Sequence, residues 1–170
     1  MLKNSTHSSP PDGIKEDKST APKRSLTPRR RAREYALQGV YQSLVMRRAG
    51  SIPNAVAIAK QLAEDPGFRR CKPELFQGLF DGVTERIDEL EAIIAPALDR
   101  PINELSPVEH AALLIGTYEL AIDLSVPYKV AINEGVELAK TFGGTDGHKY
   151  VNGVLDLLAQ RLRSAEIQAG

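Results

Sequence analysis

The chain has 170 residues, of which 42% are hydrophobic and 26% charged, and its formal net charge is zero. These values fit one globular domain with a real core, and they exclude a fibrous or wholly disordered chain. Trp is absent and aromatic residues make up only 5%, which favours a helical core over a β-sandwich or barrel. The only cysteine, Cys71, excludes an intramolecular disulfide and a cysteine-based zinc site, so we interpret it as a small buried hydrophobe.

The N-terminal part of the chain is polar and basic. Residues 1–26 are rich in Ser, Thr, Pro and Lys, a composition that predicts a disordered extension. Residues 1–33 hold nine Lys or Arg against three Asp or Glu, whereas the remainder holds 13 and 19. This asymmetry predicts a polyanionic partner for the basic end, most simply nucleic acid. We therefore divide the chain into the extension, a helical domain over residues 27–164 and a C-terminal tail over residues 165–170.

The first predicted helix begins with an arginine cluster. Thr27 and Pro28 form a helix start, and the pattern runs to about Arg47. Four arginines in a first turn oppose the helix dipole, so something outside the helix should favour them, and guanidinium groups fit phosphate. An exposed Tyr41 would offer a stacking surface for an unpaired base; the alternative is a solubilising patch with a tyrosine at its rim. The residues predicted to lie on the outer face of this helix are Arg30, Arg31, Gln38, Tyr41 and Gln42. Arg29 and Arg33 lie in the first turn, which we expect the fold to leave uncovered.

Three helices are predicted in the middle of the chain. The first opens at Ser51 with Ile52 and Val56 in its core face, and the second is one amphipathic helix over residues 73–94. Ser106-Pro107-Val108-Glu109 is a capping box that opens the third, over residues 108–124. Because that helix is apolar nearly all round, we expect central burial. The alternative is a partner surface that includes Glu109 and Tyr118.

Residues 126–156 predict two amphipathic helices joined by a glycine turn at Gly143-Gly144, with Asp146 as the cap of the second. Packed antiparallel, their polar strips would merge into one cationic surface, although an ordinary solvated lysine face is the simpler interpretation. The strips contain Lys129, Asn133 and Lys140 on the first helix and Lys149 and Asn152 on the second. Phe142 falls on the predicted core face.

No catalytic chemistry is indicated. The three histidines lack the spacing of a metal pair, and there is no P-loop and no G-x-S-x-G motif. We therefore predict a binding module without catalytic residues, metal ligands or a cofactor. No signal peptide and no apolar run of about 20 residues is evident. We expect a cytoplasmic protein without a membrane partner.

Three segments together resemble one family. RRRAREYALQGVYQ, ELSPVEHAALLIGTYEL and VPYKVAINEGVELAKTFGGTDGHKYVNGVLD are similar, in this order and spacing, to the bacterial transcription antitermination family NusB. The resemblance covers about Arg29 to Leu158, and PYKVAINE and the HKYVNGVLD run are its most specific parts. Residues 1–26 lie outside it.

The resemblance implies an all-α fold, a compact bundle of two small helical subdomains. It implies binding of single-stranded boxA RNA together with the ribosomal small-subunit protein NusE, in a transcription elongation complex with other Nus factors that supports processive rRNA synthesis. It leaves open whether the chain forms a homodimer. The RNA-binding candidates that it implies are Arg29, Arg30, Arg31, Arg33, Gln38, Tyr41, Lys129, Phe142, Asp146, Lys149 and Asn152. Glu109 falls in the family's protein-partner helix, and Tyr118 is the second partner candidate.

Two other functions remain compatible with the sequence. One is a helical adaptor that binds only protein. The other is a stand-alone relative of the N-terminal domain of RNA cytosine methyltransferases, for which the chain leaves no room for a catalytic domain after the match.

Overall fold

The computed structural model describes residues 26–144 and 146–170 and is all-helical over them, as predicted. The predicted disordered extension lies outside the described residues except for Leu26. The α-helices are α1 (Pro28–Arg48), α2 (Ala55–Ala63), α3 (Pro73–Thr84), α4 (Ile87–Ile94), α5 (Pro107–Ala121), α6 (Tyr128–Phe142), α7 (Gly147–Leu162) and α8 (Ser164–Ala169). Short 3-10 turns lie at Pro66–Arg70, Ala95–Ala97 and Ile102–Glu104. None of these described helices is both long and apolar enough to cross a membrane.

Helix α5 forms the centre of the molecule. Every residue from His110 to Leu120 is buried except Tyr118, and the helix packs against α1, α3, α4, α6 and α7. Small residues permit this close packing, because an added Cβ at Gly116 or Gly135 would lie 2.8 or 2.6 Å from Leu155 Cδ1. The predicted central burial of this helix is confirmed.

Helix α1 connects two groups of helices, α2 and α3 on the one hand and α5, α6 and α7 on the other. Its start is as predicted, with the Thr27 side chain accepting a hydrogen bond from the Arg30 N–H at 3.1 Å. One side of α1 packs against α3, and another packs against α5 and α6. The α1 residues therefore lie beside both α3 and the α6–α7 pair.

The prediction for α2 was wrong about its start and its core. The side chain of Asn54 caps the helix by accepting the Ala57 N–H, so the helix begins later than Ser51. Only Ile58 is buried, whereas Ile52 and Val56 are 92% and 80% exposed. Val56 precedes Ile58 by two residues, about 200° around the helix, which directs it to solvent.

The predicted single helix over residues 73–94 is two helices. The chain leaves helical geometry at Arg86, with φ −128° and ψ 23°. The Arg86 guanidinium donates to the Gly82 carbonyl at 3.1 Å, and the Thr84 hydroxyl donates to the Phe80 carbonyl at 2.8 Å. Side chains thus satisfy carbonyls at the end of α3, where the helical hydrogen bonds stop.

The C-terminal residues, predicted as a tail, form the docked helix α8. The Glu166 carboxylate accepts the Tyr128 N–H at 3.1 Å, at the start of α6, and Ile167 packs against the core. Arg163 is buried before α8 and donates to the carbonyls of Leu120, Glu119 and Val126 at 2.8–3.0 Å. A buried guanidinium thus satisfies the carbonyls at and beyond the end of α5, where the helix dipole favours a cation.

The α6–α7 pair is an antiparallel hairpin, as predicted. Gly135 of α6 lies against Leu155 of α7, at similar distances in sequence from the turn. Gly143 ends α6 with an extended backbone at φ −100° and ψ 179°, so it does not need the positive φ that glycine allows. An added Cβ there would lie 2.5 Å from the Ala139 carbonyl oxygen, which is a steric reason for glycine.

Candidate RNA and partner interface

The arginine cluster at the start of α1 is only partly free. Arg29 is exposed and Arg31 is half-buried. Arg30 donates through Nε and Nη2 to the carboxylate of Glu134 on α6 at 3.3 and 3.1 Å, and this hydrogen bonding raises the pKa of Arg30. Arg30 thus ties α1 to α6 while about a third of its side chain stays exposed.

Arg33 does not lie on the surface, so its prediction as an RNA-binding residue is wrong. It is 5% exposed and donates through Nε and Nη2 to Glu119 at 3.0 and 2.9 Å, and Glu119 on α5 is fully buried. Burial favours the neutral guanidinium, but the hydrogen bonds and charge of Glu119 outweigh it and raise the pKa of Arg33. The role of this residue is to hold α1 against α5.

An apolar groove lies beside the exposed face of α1. It has a volume of about 530 Å³ and includes Tyr41 and Phe142, which are 41% and 36% exposed. The exposure of Tyr41 agrees with its prediction, whereas the core placement of Phe142 was wrong. The other lining residues are Leu37, Gln38, Gln42, Val45, Met46, Leu62 and Val108. No cation lines this groove in the part of the chain that the structure describes.

The lysines of the hairpin are exposed, as predicted, but they do not form one compact strip. Lys129 lies at the start of α6 and Lys149 at the start of α7. Because the hairpin is antiparallel, the start of α7 lies beside the end of α6, where Lys140 is. Lys129 and Lys149 are therefore about 16 Å apart along the hairpin axis, which is the helical rise from Lys129 to Lys140. Asn152 is exposed one turn after Lys149.

Asp146 precedes α7, as predicted, but its side chain makes no capping hydrogen bond. Its carboxylate instead lies 3.5 Å from Lys149 Nζ in an exposed ion pair. Nearby, the Glu109 carboxylate lies against the start of α7, since an added Cβ at Gly147 would be 3.0 Å from Glu109 Oε1. The beginnings of α5 and α7 therefore meet at one surface.

The second partner candidate, Tyr118, packs between helices. An added Cβ at Gly82 would lie 2.4–2.5 Å from its ring and hydroxyl, so Tyr118 occupies the space that this glycine leaves between α3 and α5. It is half-buried, and its contacts place it in the fold and not beside Glu109. Tyr118 and Glu109 thus contact different helices, α3 and α7 respectively.

His110 follows Glu109 and has a structural environment. Arg48 Nη2 lies 3.1 Å from Nδ1 of the buried ring, and Glu91 Oε1 lies 2.8 Å from Nε2. Because a guanidinium can only donate, Nδ1 is the acceptor and Nε2 carries the proton. Burial lowers the pKa of His110, which favours this neutral form. Among the described residues, no three His, Cys, Asp or Glu side chains are placed to hold a metal ion.

A cluster that the sequence did not predict lies at the start of α7. Tyr150 donates its hydroxyl to Asp99 Oδ1 at 2.8 Å, and Arg100 Nε donates to the same oxygen at 2.9 Å. These bonds, that from Arg100 foremost, lower the pKa of the Asp99 carboxyl. The only sequence signal was the position of Tyr150 beside Lys149, since Asp99 is 51 residues away.

Comparison with known proteins identifies the family. The model of the NusB family matches residues 30–160. The chain belongs to the NusB family. It is 52% identical over 155 residues to the transcription antitermination protein NusB of Methylobacillus flagellatus, a match that covers 91% of this chain and 97% of that protein.

Solved structures agree with this assignment. T. maritima NusB matches with a TM-score of 0.67 and 26% identity, over 80% of this chain and 93% of that one. A chain from a crystal structure of the antitermination factors NusB and NusE in complex with dsRNA matches with a TM-score of 0.66 and 27% identity, over 79% and 97%. The family resemblance and the NusB-like all-α fold predicted from the sequence are confirmed. An antitermination factor is not an enzyme, so the family also confirms the prediction of a non-enzymatic protein.

Proposed function

We propose that this chain is a transcription antitermination factor that binds single-stranded boxA RNA of rRNA operons jointly with NusE. The observation that carries the proposal is its 52% identity to an antitermination protein along nearly the whole of both chains. The complex of NusB and NusE with dsRNA, one chain of which has the same fold as this protein, supports both partners. In this proposal the chain acts in the cytoplasm within an elongation complex that contains other Nus factors.

The RNA side of the proposal rests on the exposed cations and amides. Arg29, Arg31 and the exposed part of Arg30 supply charge at the start of α1, and Lys129 and Lys149 supply it on the hairpin. Asn152 offers an exposed amide that can bind the base edges exposed by single-stranded RNA, whereas Gln38 is half-buried and lines the apolar groove. Asp146 contributes indirectly to RNA binding, because its carboxylate forms an ion pair with Lys149. Arg33 has no part in this surface.

The protein side rests on the apolar groove. Polyanion binding needs cations, whereas this groove is lined by apolar side chains and two glutamines. Apolar and aromatic anchors are typical of protein interfaces. Val108 lines the groove and precedes Glu109, the partner residue that the family resemblance implies. We therefore reassign Tyr41 and Phe142 from the RNA surface to the NusE surface.

Fluorescence anisotropy of a labelled boxA-type strand tests the function. We expect tighter binding of boxA than of a scrambled strand, and a fall of log K with log salt of about 0.7 for each neutralised phosphate. Added NusE should strengthen RNA binding, and RNA should strengthen NusE binding by the same factor. Equal binding of boxA and scrambled RNA in the presence of NusE would contradict the RNA half and favour a protein-only adaptor.

Two variants separate the surfaces. Lys149→Ala should weaken RNA binding and reduce the salt slope by about 0.7, while Lys60→Ala, an equal charge change on α2, should do neither. Phe142→Ala should leave binding of RNA alone unchanged and weaken NusE binding about tenfold or more, as expected for an aromatic anchor. If Phe142→Ala instead weakens RNA alone, the groove belongs to the RNA surface.

A further inference from the structure

We propose that the guanidinium of Arg100, held against the Tyr150 ring by Asp99, is a stacking surface for an unpaired RNA base. The inference rests on the RNA-binding function proposed above and adds to it a residue outside the predicted surface. Asp99 is then a positioning residue, because its carboxylate fixes the guanidinium and does not itself contact RNA.

The geometry of the cluster fixes the guanidinium in place. One carboxylate oxygen, Asp99 Oδ1, accepts both the Arg100 Nε–H at 2.9 Å and the Tyr150 hydroxyl at 2.8 Å. The Arg100 Cζ atom lies 4.4 Å from the centroid of the Tyr150 ring, a cation–π contact. Thus a short loop after the Ala95–Ala97 turn is joined to the first turn of α7 at two points, the Asp99–Tyr150 hydrogen bond and the Arg100–Tyr150 contact.

The guanidinium is accessible. About 42% of the Arg100 side chain is exposed, whereas the Tyr150 ring beneath it is half-buried. Within the part of the chain that the structure describes, Arg100 uses only Nε for hydrogen bonds, so Nη1 and Nη2 can donate to a phosphate. The planar group that this site presents to a base is therefore the guanidinium and not the ring, and arginine planes stack on bases.

The surroundings supply the other chemistry of a single-strand site. A cavity of about 240 Å³ beside the cluster is lined by Ala97, Asp99, Lys149, Tyr150, Gly153 and Val154. An added Cβ at Gly153 would meet nothing within 4 Å, so the helix surface there is open. Lys149 is 74% exposed and provides a cation beside the plane. A cation next to a stacking plane is the arrangement that single-strand binding proteins use.

Substitution of Asp99 tests the inference, because two explanations predict opposite changes in RNA affinity. A carboxylate near RNA repels phosphate, so removal of its charge alone should strengthen binding. If Asp99 instead positions Arg100, its removal frees the guanidinium from the ring and should weaken binding. Simple charge counting and positioning thus predict opposite results for the same variant.

The first experiment compares Asp99→Ala with Glu89→Ala, an equal charge change at an exposed position of α4, in the boxA anisotropy assay. Asp99→Ala should weaken RNA binding severalfold, and Glu89→Ala should leave it unchanged or slightly tighter. Far-UV circular dichroism and the melting temperature establish that both variants are folded. Binding by Asp99→Ala as tight as, or tighter than, that of the parent protein would overturn the inference.

The second experiment tests stacking directly. Arg100→Lys keeps the charge but removes the plane, so the affinity should fall about fivefold or more with an unchanged salt slope. RNAs with single abasic nucleotides then locate the base: one substitution should weaken binding to the parent protein but not to Arg100→Lys. Equal abasic penalties for both proteins at every position would overturn the inference. If the parent protein does not prefer boxA even with NusE, the proposed function fails and this inference fails with it.

Discussion

Two arginines of α1, three positions apart, show how burial decides the importance of an ion pair. Arg30 and Arg33 each make two hydrogen bonds to one glutamate at 2.9–3.3 Å. The Arg30–Glu134 pair is half-exposed, while the side chains of Arg33 and Glu119 are only 6% and 1% exposed. Water can replace the partner of Arg30 but not that of Arg33. The two residues should therefore respond differently to the same substitution.

We expect Arg33→Ala to lower the free energy of unfolding by about 3–5 kcal/mol, since it leaves the Glu119 charge buried without a partner. Arg30→Ala, the matched control on the same helix, should cost about 1 kcal/mol or less. Urea unfolding followed by circular dichroism measures both. The double variant Arg33→Met with Glu119→Leu should recover most of the loss, because it removes the buried charge as well. Equal costs for the two single variants would contradict the assigned role of burial.

The sequence could not identify this difference. Arg33 stands in a run of arginines whose local pattern predicts an exposed patch, and its partner is 86 residues away. Lys129, Lys149 and Asn152 were placed correctly on the surface because helical periodicity alone determines which side faces solvent. The Asp99–Arg100–Tyr150 cluster was missed for the same reason as Arg33. Its chemistry arises only where two distant segments meet.

At the scale of whole elements, two glycines of α3 show how helix propensity and side-chain packing contribute separately to stability. Nothing lies within 4 Å of an added Cβ at Gly78, whereas at Gly82 the Tyr118 ring would be 2.4 Å away. Both glycines are inside the same helix and carry the same entropic cost. Only their surroundings differ.

Gly78→Ala should therefore raise the free energy of unfolding by about 0.5–1 kcal/mol, because alanine favours the helix and meets no neighbour. Gly82→Ala should lower it by about 1–3 kcal/mol, the usual cost of overpacking, since the Tyr118 ring of α5 must move away from α3. Thermal and urea unfolding of the two variants provide the measurement. A higher free energy of unfolding for Gly82→Ala would contradict the prediction, because it would show that Tyr118 moves without losing packing contacts.

The distinction between local signals and tertiary packing also explains which features of the helices the sequence predicted correctly. The starts of α1 and α5 were correct because their capping residues act within one turn: Ser106 accepts the Glu109 N–H at 3.2 Å, just as Thr27 caps α1. Apolar spacing did not reveal the break at Arg86, which depends on side chains bonding to carbonyls of α3. Nor did it reveal that Ile52 and Val56 face solvent. Local signals predict where a helix begins better than what covers it.

For the molecule as a whole, α1 determines whether two groups of helices behave as one unit. It packs against α3 on one side and against α5 and α6 on another, and α5 packs against both α3 and α7. The two small subdomains implied by the family resemblance thus share two central helices. Neither group has a core that excludes the other.

We therefore expect one cooperative unfolding transition, as is usual for a domain of this size. Urea curves followed by far-UV circular dichroism and by tyrosine fluorescence should coincide, because tyrosines lie on both sides of α1. A calorimetric enthalpy equal to the van't Hoff enthalpy would be the second sign of a single unit. Two separated transitions would contradict the prediction.

The central position of α5 has a consequence for how the protein is made. Ten of its fifteen residues are buried, and the packing that covers them includes α6 and α7, which follow it in the chain. The guanidinium that satisfies the carbonyl of Leu120 belongs to Arg163, 43 residues later. On the ribosome, this apolar helix emerges before α6 and α7 exist to cover it, and exposed apolar surface of this kind is what chaperones bind. The fold can close only once the polypeptide has been translated through Arg163.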